Sequence, residues 1–347
     1  MKLGFVLLAL ACSIVSPYPA AAEGSRTPAH LSTASVNQAT FSPPPYSKTS
    51  PVVLKAQVLL DRARFSPGVI DGREGDNFKK ALTAFQSQNG LSGNGELDQA
   101  TFDRLSATSS APVLTEYEIT SADLDADYVK SIPKSLEQMA RMARLSYTGP
   151  REAIAERFHM SEELLKELNP DASFDHPGEG LVIANVHREK TDRKATRRKV
   201  TEVVVDKEEH AVRAYDSDGM LEAFYPASIG SEEKPAPSGT FRVKRIARNP
   251  TYHYNPKFGF KGVEAQHKLT IQPGPNNPVG LVWIDLTAPS YGIHGTPDPE
   301  NIGKTESHGC IRLTNWDALA LAALVRKGTK VEFVDETNAS GGREQTP

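Results

Sequence analysis

The sequence predicts a multidomain chain: a mostly-β, sandwich-like C-terminal domain preceded by a small all-α module and a mixed α/β module. Three observations predict it. The chain has 347 residues, enough for two or three domains. Apolar residues recur at helical spacing between positions 51 and 107, and again in two shorter helical stretches further on. From position 200 the pattern changes to many short strand-like runs separated by polar turns, which favours a sandwich or barrel over alternating βα units.

Composition sets limits on function. Apolar residues make up 38% and charged residues 24%, so folded cores are expected. The balance of 40 Lys+Arg against 43 Asp+Glu lacks the basic excess of a dedicated nucleic-acid binder. With two cysteines, Cys12 and Cys310, a disulfide-stapled fold and a four-cysteine zinc site are both excluded.

Residues 1–22 read as a signal peptide. Lys2 gives a positive start, Leu3 to Val15 is almost entirely apolar, and Ala20-Ala21-Ala22 offers the small residues of a cleavage site. The run is too short to span a bilayer, and no later segment is apolar enough to be a transmembrane span. The expectation is an exported, periplasmic or cell-envelope protein, with lipidation at Cys12 as the rival. Cleavage leaves a single thiol, Cys310, in an oxidising compartment, where it is either buried filler or a working nucleophile.

Residues 23–50, rich in Ser, Thr, Pro and Ala, read as a flexible linker. In 51–107, Val53, Leu54, Gln57, Val58 and Leu59 share one helix face. Turns follow at Ser66-Pro67-Gly68 and Asp71-Gly72. A second helix carries Phe78, Leu82, Phe85 and Gln86 and closes at Gly90; a third starts near Asp98. The string ARFSPGVIDGREGDNFKKALTAFQSQNGL, then GELDQATFDRL, resembles the three-helix peptidoglycan-binding domain.

In 113–187, LEQMARMARLSY reads as a helix. REAIAERFHMSEELLKELNP reads as helix, turn, helix, capped at Ser161 and ended by Asn169-Pro170, and LVIANV as a strand. That order resembles a LysM glycan-binding module, without the usual opening Gly-Asp-Thr strand. Residues 188–199, rich in Lys and Arg, read as a solvated basic linker, and 336–347 as a disordered tail. In 200–335, one helix interrupts the strands, with Thr314 as N-cap and Asp317 three residues on.

The chemistry gathers at His294 and Cys310. A thiol is mostly protonated at neutral pH, and a neighbouring imidazole can take its proton to leave a nucleophilic thiolate. His294 ends the strand-like YGIHG, and eleven residues from Pro297 to Ser307 separate Thr296 from His308-Gly309-Cys310. A loop of that length can return the thiol to the imidazole. His308, two residues from Cys310, would share its side of an extended stretch. Gly295 and Gly309 allow close approach, and the N–H groups around Gly309 and Cys310 can face an oxyanion. A zinc site from His294, His308 and Cys310 would need a fourth ligand. If His294 is the base, activity should fall on the acid side of about pH 6.5.

Ile293-His294-Gly295-Thr296 and Ser307-His308-Gly309-Cys310-Ile311-Arg312-Leu313, with PSGTF (237–241) and PGPNNPVG (273–280) upstream, resemble the signature of the YkuD-type L,D-transpeptidases over residues 200–335. The resemblance implies Cys310 as nucleophile and His294 as general base. It implies that the Gly295 carbonyl orients the imidazole, and that His308, Gly309 and Arg312 shape the site or hold substrate. It further implies acyl transfer on peptidoglycan stem peptides without cofactor or metal. The acceptor would be a second stem, an envelope protein, or water in a carboxypeptidase. A non-catalytic wall-binding adaptor is the alternative from another class.

Overall fold

The computed structural model describes residues 31–46, 48–187, 200–231, 234–258, 265–305 and 309–335. The expected signal peptide, Cys12, the basic linker, His308 and the C-terminal tail lie outside the described residues. Everything described belongs to one contact unit.

Four helices open the chain: α1 (Thr33–Asn37), α2 (Pro51–Arg62), α3 (Asp76–Gln88) and α4 (Gln99–Ser106). Ser50 caps α2, with Pro51 in its first turn, and Asp98 caps α4. Two buried glutamines organise the loops. The Gln57 carbonyl accepts from the Asp71 and Gly72 amides, and the Gln86 carbonyl accepts from the Gly95 amide while its NH2 donates to Glu96 O and Thr101 Oγ1. The segment expected as a tether differs in its second half. Val36 of α1 is fully buried, and the Asn37 amide exchanges two hydrogen bonds with the Leu114 backbone.

A middle module follows, made of β1 (Leu114–Glu118), α5 (Ser121–Leu124), α6 (Leu136–Met139), α7 (Pro150–Arg157), α8 (Glu162–Leu168) and β2 (Gly180–Ala184). β1 and β2 pair antiparallel, Leu114 opposite Ala184. β1 was not expected from the sequence, where no opening strand stood out. Ser161 caps α8 as expected, its hydroxyl accepting from the Leu164 amide. The helix expected over LEQMARMARLSY is confined to α6. Helix α6 buries no side chain, and the Leu145 backbone bonds outward instead, to Pro273 O and the Asn276 amide.

The C-terminal domain contains β3 (Glu202–Asp206), β4 (Ala211–Tyr215), β5 (Leu221–Pro226), β6 (Ser228–Ile229), β7 (Gly239–Arg248), β8 (Tyr252–Tyr254), β9 (Leu269–Ile271), β10 (Val282–Leu286), β11 (Gly292–His294), β12 (Ile311–Arg312), α9 (Asn315–Leu324) and β13 (Lys330–Val334). The mostly-β, sandwich-like domain that the sequence predicts is β-rich, its strands forming one continuous, barrel-like sheet ordered β5-β4-β3-β13-β7-β10-β11-β12-β6. The long β7 carries the change of direction: its first residues pair with β13 and its remainder with β10, across a register shift at Asp285/Leu286. The barrel-like curl encloses Val203, Val205, Val212, Ile284, Ile293 and Ile311, with Ala318 and Leu321 of α9 in the same core. β8 and β9 form a separate hairpin.

The modules dock directly on the β domain. Phe224 and Ala211 of the sheet join the hydrophobic core of the helical modules. The Ser66 amide donates to Phe224 O, the Phe224 amide to Arg64 O, and the Ser66 hydroxyl to the buried Asp317 carboxylate. His159 of the middle module stacks on Trp316, ring centroids 5.1 Å apart, and shares its Nδ1 with Asp61 of α2. Among the described residues no helix is long and apolar enough to cross a membrane.

Candidate active site

β11 and β12 run parallel and adjacent, with Ile293 opposite Ile311 and His294 opposite Arg312. Side chains alternate along a strand, so the two buried isoleucines face the core while His294 and Arg312 face the other way. Cys310, two residues before Arg312, lies on that same outer side. His294, Cys310 and Arg312 line one cleft of about 600 Å³. The thiol and the imidazole thus open into the same cleft.

The histidine is held in one tautomer. Its Nδ1 lies 2.7 Å from the Gly295 carbonyl, which can only accept, so Nδ1 carries the hydrogen and Nε2 has the lone pair. One face of the ring is stacked on Trp283. Burial, and then the nearby Arg312 charge, hold its pKa down to about 3. The acid limb expected near pH 6.5 therefore belongs to an exposed histidine, not to this one. Burial pushes the Cys310 thiol up, opposed by the Gly292 backbone amide and the charges of Lys234 and Arg312. Burial thus favours the neutral form of both groups, the thiol and the imidazole that line this cleft. Such a pair can deprotonate the thiol as it attacks.

One glycine is required by contact and a second by its backbone conformation. A Cβ on Gly295 would lie 2.2 Å from Asn315 Oδ1. Gly309 has φ +95°, and a Cβ there would press on the Lys234 side chain.

Residues 201–333 match the family model of the L,D-transpeptidase catalytic domain, YkuD. Residues 49–105 match a peptidoglycan-binding domain. YkuD of Bacillus licheniformis is 28% identical over 184 residues, which is 52% of this chain and 92% of that one. YqjB of Bacillus subtilis is 33% identical over 35% of this chain and 65% of its own length. YbiS of Escherichia coli is 30% identical over 54% and 61%. All three carry L,D-transpeptidase names, and this chain spans less than two thirds of the last two. A solved L,D-transpeptidase from Mycobacterium smegmatis overlaps 39% of this chain and 59% of its own, at 22% identity and a TM-score of 0.32.

His294, Cys310 and Arg312 line one cleft, Gly295 holds the imidazole through its carbonyl, and Gly309 precedes the thiol; His308 lies outside the described residues. Sequence reading missed most of the cleft's lining, Trp283, Lys234, Arg245, Tyr252 and Leu136 among it. Tyr252 faces the thiol, and burial together with Cys310 pushes its phenol up to about 12. Trp283 was legible in part: between Val282 and Ile284, both buried, it must point to the opposite face of β10. Leu136 comes from the middle module, and no local pattern announces that contact.

Proposed function

We propose that the protein is an exported peptidoglycan L,D-transpeptidase in which Cys310 is the nucleophile and His294 the general base. The observation that carries this is the His294 tautomer. With Nδ1 committed to Gly295 O, Nε2 is the nitrogen available to the cleft it shares with the thiol.

The donor is a tetrapeptide stem. The Cys310 sulfur attacks the diaminopimelate carbonyl as Nε2 takes the thiol proton. The oxyanion forms towards the amides around Gly309 and Cys310. The C–N bond to D-Ala breaks, the imidazolium proton passes to the departing amine, and a thioester remains. An acceptor amine attacks that thioester, gives its proton to Nε2, and the thiolate leaves and is reprotonated. A second stem gives a 3→3 cross-link, a lysine or N-terminus anchors an envelope protein, and water gives carboxypeptidase activity. Lys234, Arg245 and Arg312 along the cleft suit a donor rich in carboxylates.

The other modules fit a wall-bound enzyme. Residues 49–105 support attachment to peptidoglycan. The antiparallel pairing of β1 with β2, and the pair α7 and α8 that leads into β2, support the LysM-like reading of residues 113–187, and with it glycan as a partner. The expected signal peptide would deliver the chain to the periplasm or cell envelope.

Incubating the purified protein with a tetrapeptide stem, with and without an acceptor amine, tests the reaction. Transfer predicts D-Ala release that rises with acceptor and a new amide product. Release indifferent to acceptor means hydrolysis, and sacculus binding without any release means an adaptor.

A further inference from the structure

Besides Leu136, which lines the cleft, the middle module bears on the site indirectly through a carboxylate. Glu156, on α7, is 8% exposed and packed against α9. Its Oε2 accepts from Asn315 Nδ2 at 3.1 Å and from the Tyr147 hydroxyl at 3.1 Å. Asn315 is itself buried and opens α9. Its Nδ2 also donates to Pro275 O, and its Oδ1 accepts from the Leu281 amide. Both ends of the amide are therefore tied.

The Oδ1 end is wedged between two backbone segments. A Cβ on Gly280 would lie 2.1 Å from it, and one on Gly295 2.2 Å from it. The Gly295 peptide is the one whose carbonyl holds His294 Nδ1. Four groups from two modules thus stand in series: Glu156, the Asn315 amide, the Gly295 peptide and the imidazole.

We propose that Glu156 is a positioning residue for acyl transfer: through Asn315 it fixes the Gly295 peptide that aims the His294 imidazole at Cys310. This rests on the reading of His294 as the base. The chemistry of the contact supports it. A buried carboxylate is costly to desolvate, and an apolar side chain would fill the same space more cheaply. What the Glu156 side chain supplies is an acceptor oxygen that keeps the Asn315 amide from turning, in its acid form as in its ionised form. Without it, Nδ2 retains the Pro275 carbonyl alone, and the wedge beside Gly295 loosens. A module outside the cleft's own domain would then set how well the pair is aligned, and a small misalignment of reacting groups is expensive in rate.

The test uses the full chain and a tetrapeptide stem, with mass spectrometry of Cys310 acylation in single turnover and steady-state D-Ala release. Glu156→Ala is expected to lower kcat about 10-fold with KM within about twofold, because Glu156 does not line the cleft. Glu156→Gln keeps an acceptor for Asn315 and should retain most of the rate. Tyr147→Phe removes the other hydrogen bond to the same carboxylate and should acylate like wild type, which a merely structural role would not allow. Should Glu156→Ala not fold, Asn315→Asp, which loses the donor but keeps the shape, carries the same expected loss. Wild-type rates in Glu156→Ala or in Asn315→Asp would overturn the proposal, as would equal losses in Glu156→Ala, Glu156→Gln and Tyr147→Phe. Failure of the wild-type protein to acylate at all would overturn the base reading beneath it, a result plainly different from either.

Discussion

The Trp283 indole lies on the His294 imidazole, ring centroids 5.3 Å apart and planes 17° from parallel. The indole shields one face of the ring from water, and the strand beneath buries the rest. A charged imidazole is poorly solvated there, which is why its pKa falls to about 3. A base works when unprotonated, so acylation of Cys310 should hold its rate as pH falls from 7 to 5. Trp283→Ala admits water, returns the pKa towards its ordinary 6.5 and raises the acid limb. The pH–rate profile of acylation in both proteins checks this; half-loss near pH 6.5 in the wild type would contradict it.

Gly295→Ala places a methyl where Asn315 Oδ1 already stands. The peptide must shift, and with it the acceptor for His294 Nδ1. The expected result is a loss of acylation approaching that of His294→Gln, about 10²–10⁴-fold, in a protein that still melts cooperatively. Single-turnover acylation alongside a thermal melt separates this from misfolding.

Two buried carboxylates at the junction of the modules should make stability depend on pH. Burial, then the facing Asp61, pushes Asp317 up to about 7, and burial pushes Glu156 up to about 7. From about pH 4 to 7 the folded state holds protons that the unfolded chain has released, so their stabilisation is present at low pH and lost as pH rises. His294 acts oppositely: its folded pKa is depressed, so between about 3 and 6.5 it favours folding as pH rises. Two carboxylates against one imidazole give net loss between pH 5 and 6.5. Asp317→Asn removes one and should flatten that slope. Denaturant titrations at several pH values measure it, and parallel slopes in variant and wild type would count against the assignment.

The docked modules predict that a fragment of residues 200–335 is less stable than the full chain. Phe224, 1% exposed, and Trp316, 7% exposed, are covered by the helical modules. Uncovered, they form an apolar patch. The fragment should melt at lower temperature and self-associate in sedimentation, whereas an independently folded domain on a loose tether would melt unchanged.

What could be read from the sequence was what local chemistry writes. Thr314 and Ser161 announce their helices because a cap is a contact of three residues, and the spacing of His294 and Cys310 survives in a motif. The rest depends on partners distant in the chain. The strand at Leu114–Glu118 exists because Gly180–Ala184, more than sixty residues on, pairs with it. The helix expected over 136–147 stops early because its backbone bonds to the loop at Pro273 and Asn276. The hold of Glu156 on Asn315 spans 159 positions, and no local pattern carries such a pairing.

The central claim is that the Cys310 sulfur becomes the acyl carrier. Intact-protein and peptide mass spectrometry after brief reaction with a tetrapeptide stem tests it most directly. The account predicts an adduct on Cys310 of the stem less D-Ala, cleared by an acceptor amine and missing in Cys310→Ala. A reduced wild-type protein that releases D-Ala with Cys310 unmodified, or a Cys310→Ala variant that still turns over, would contradict it.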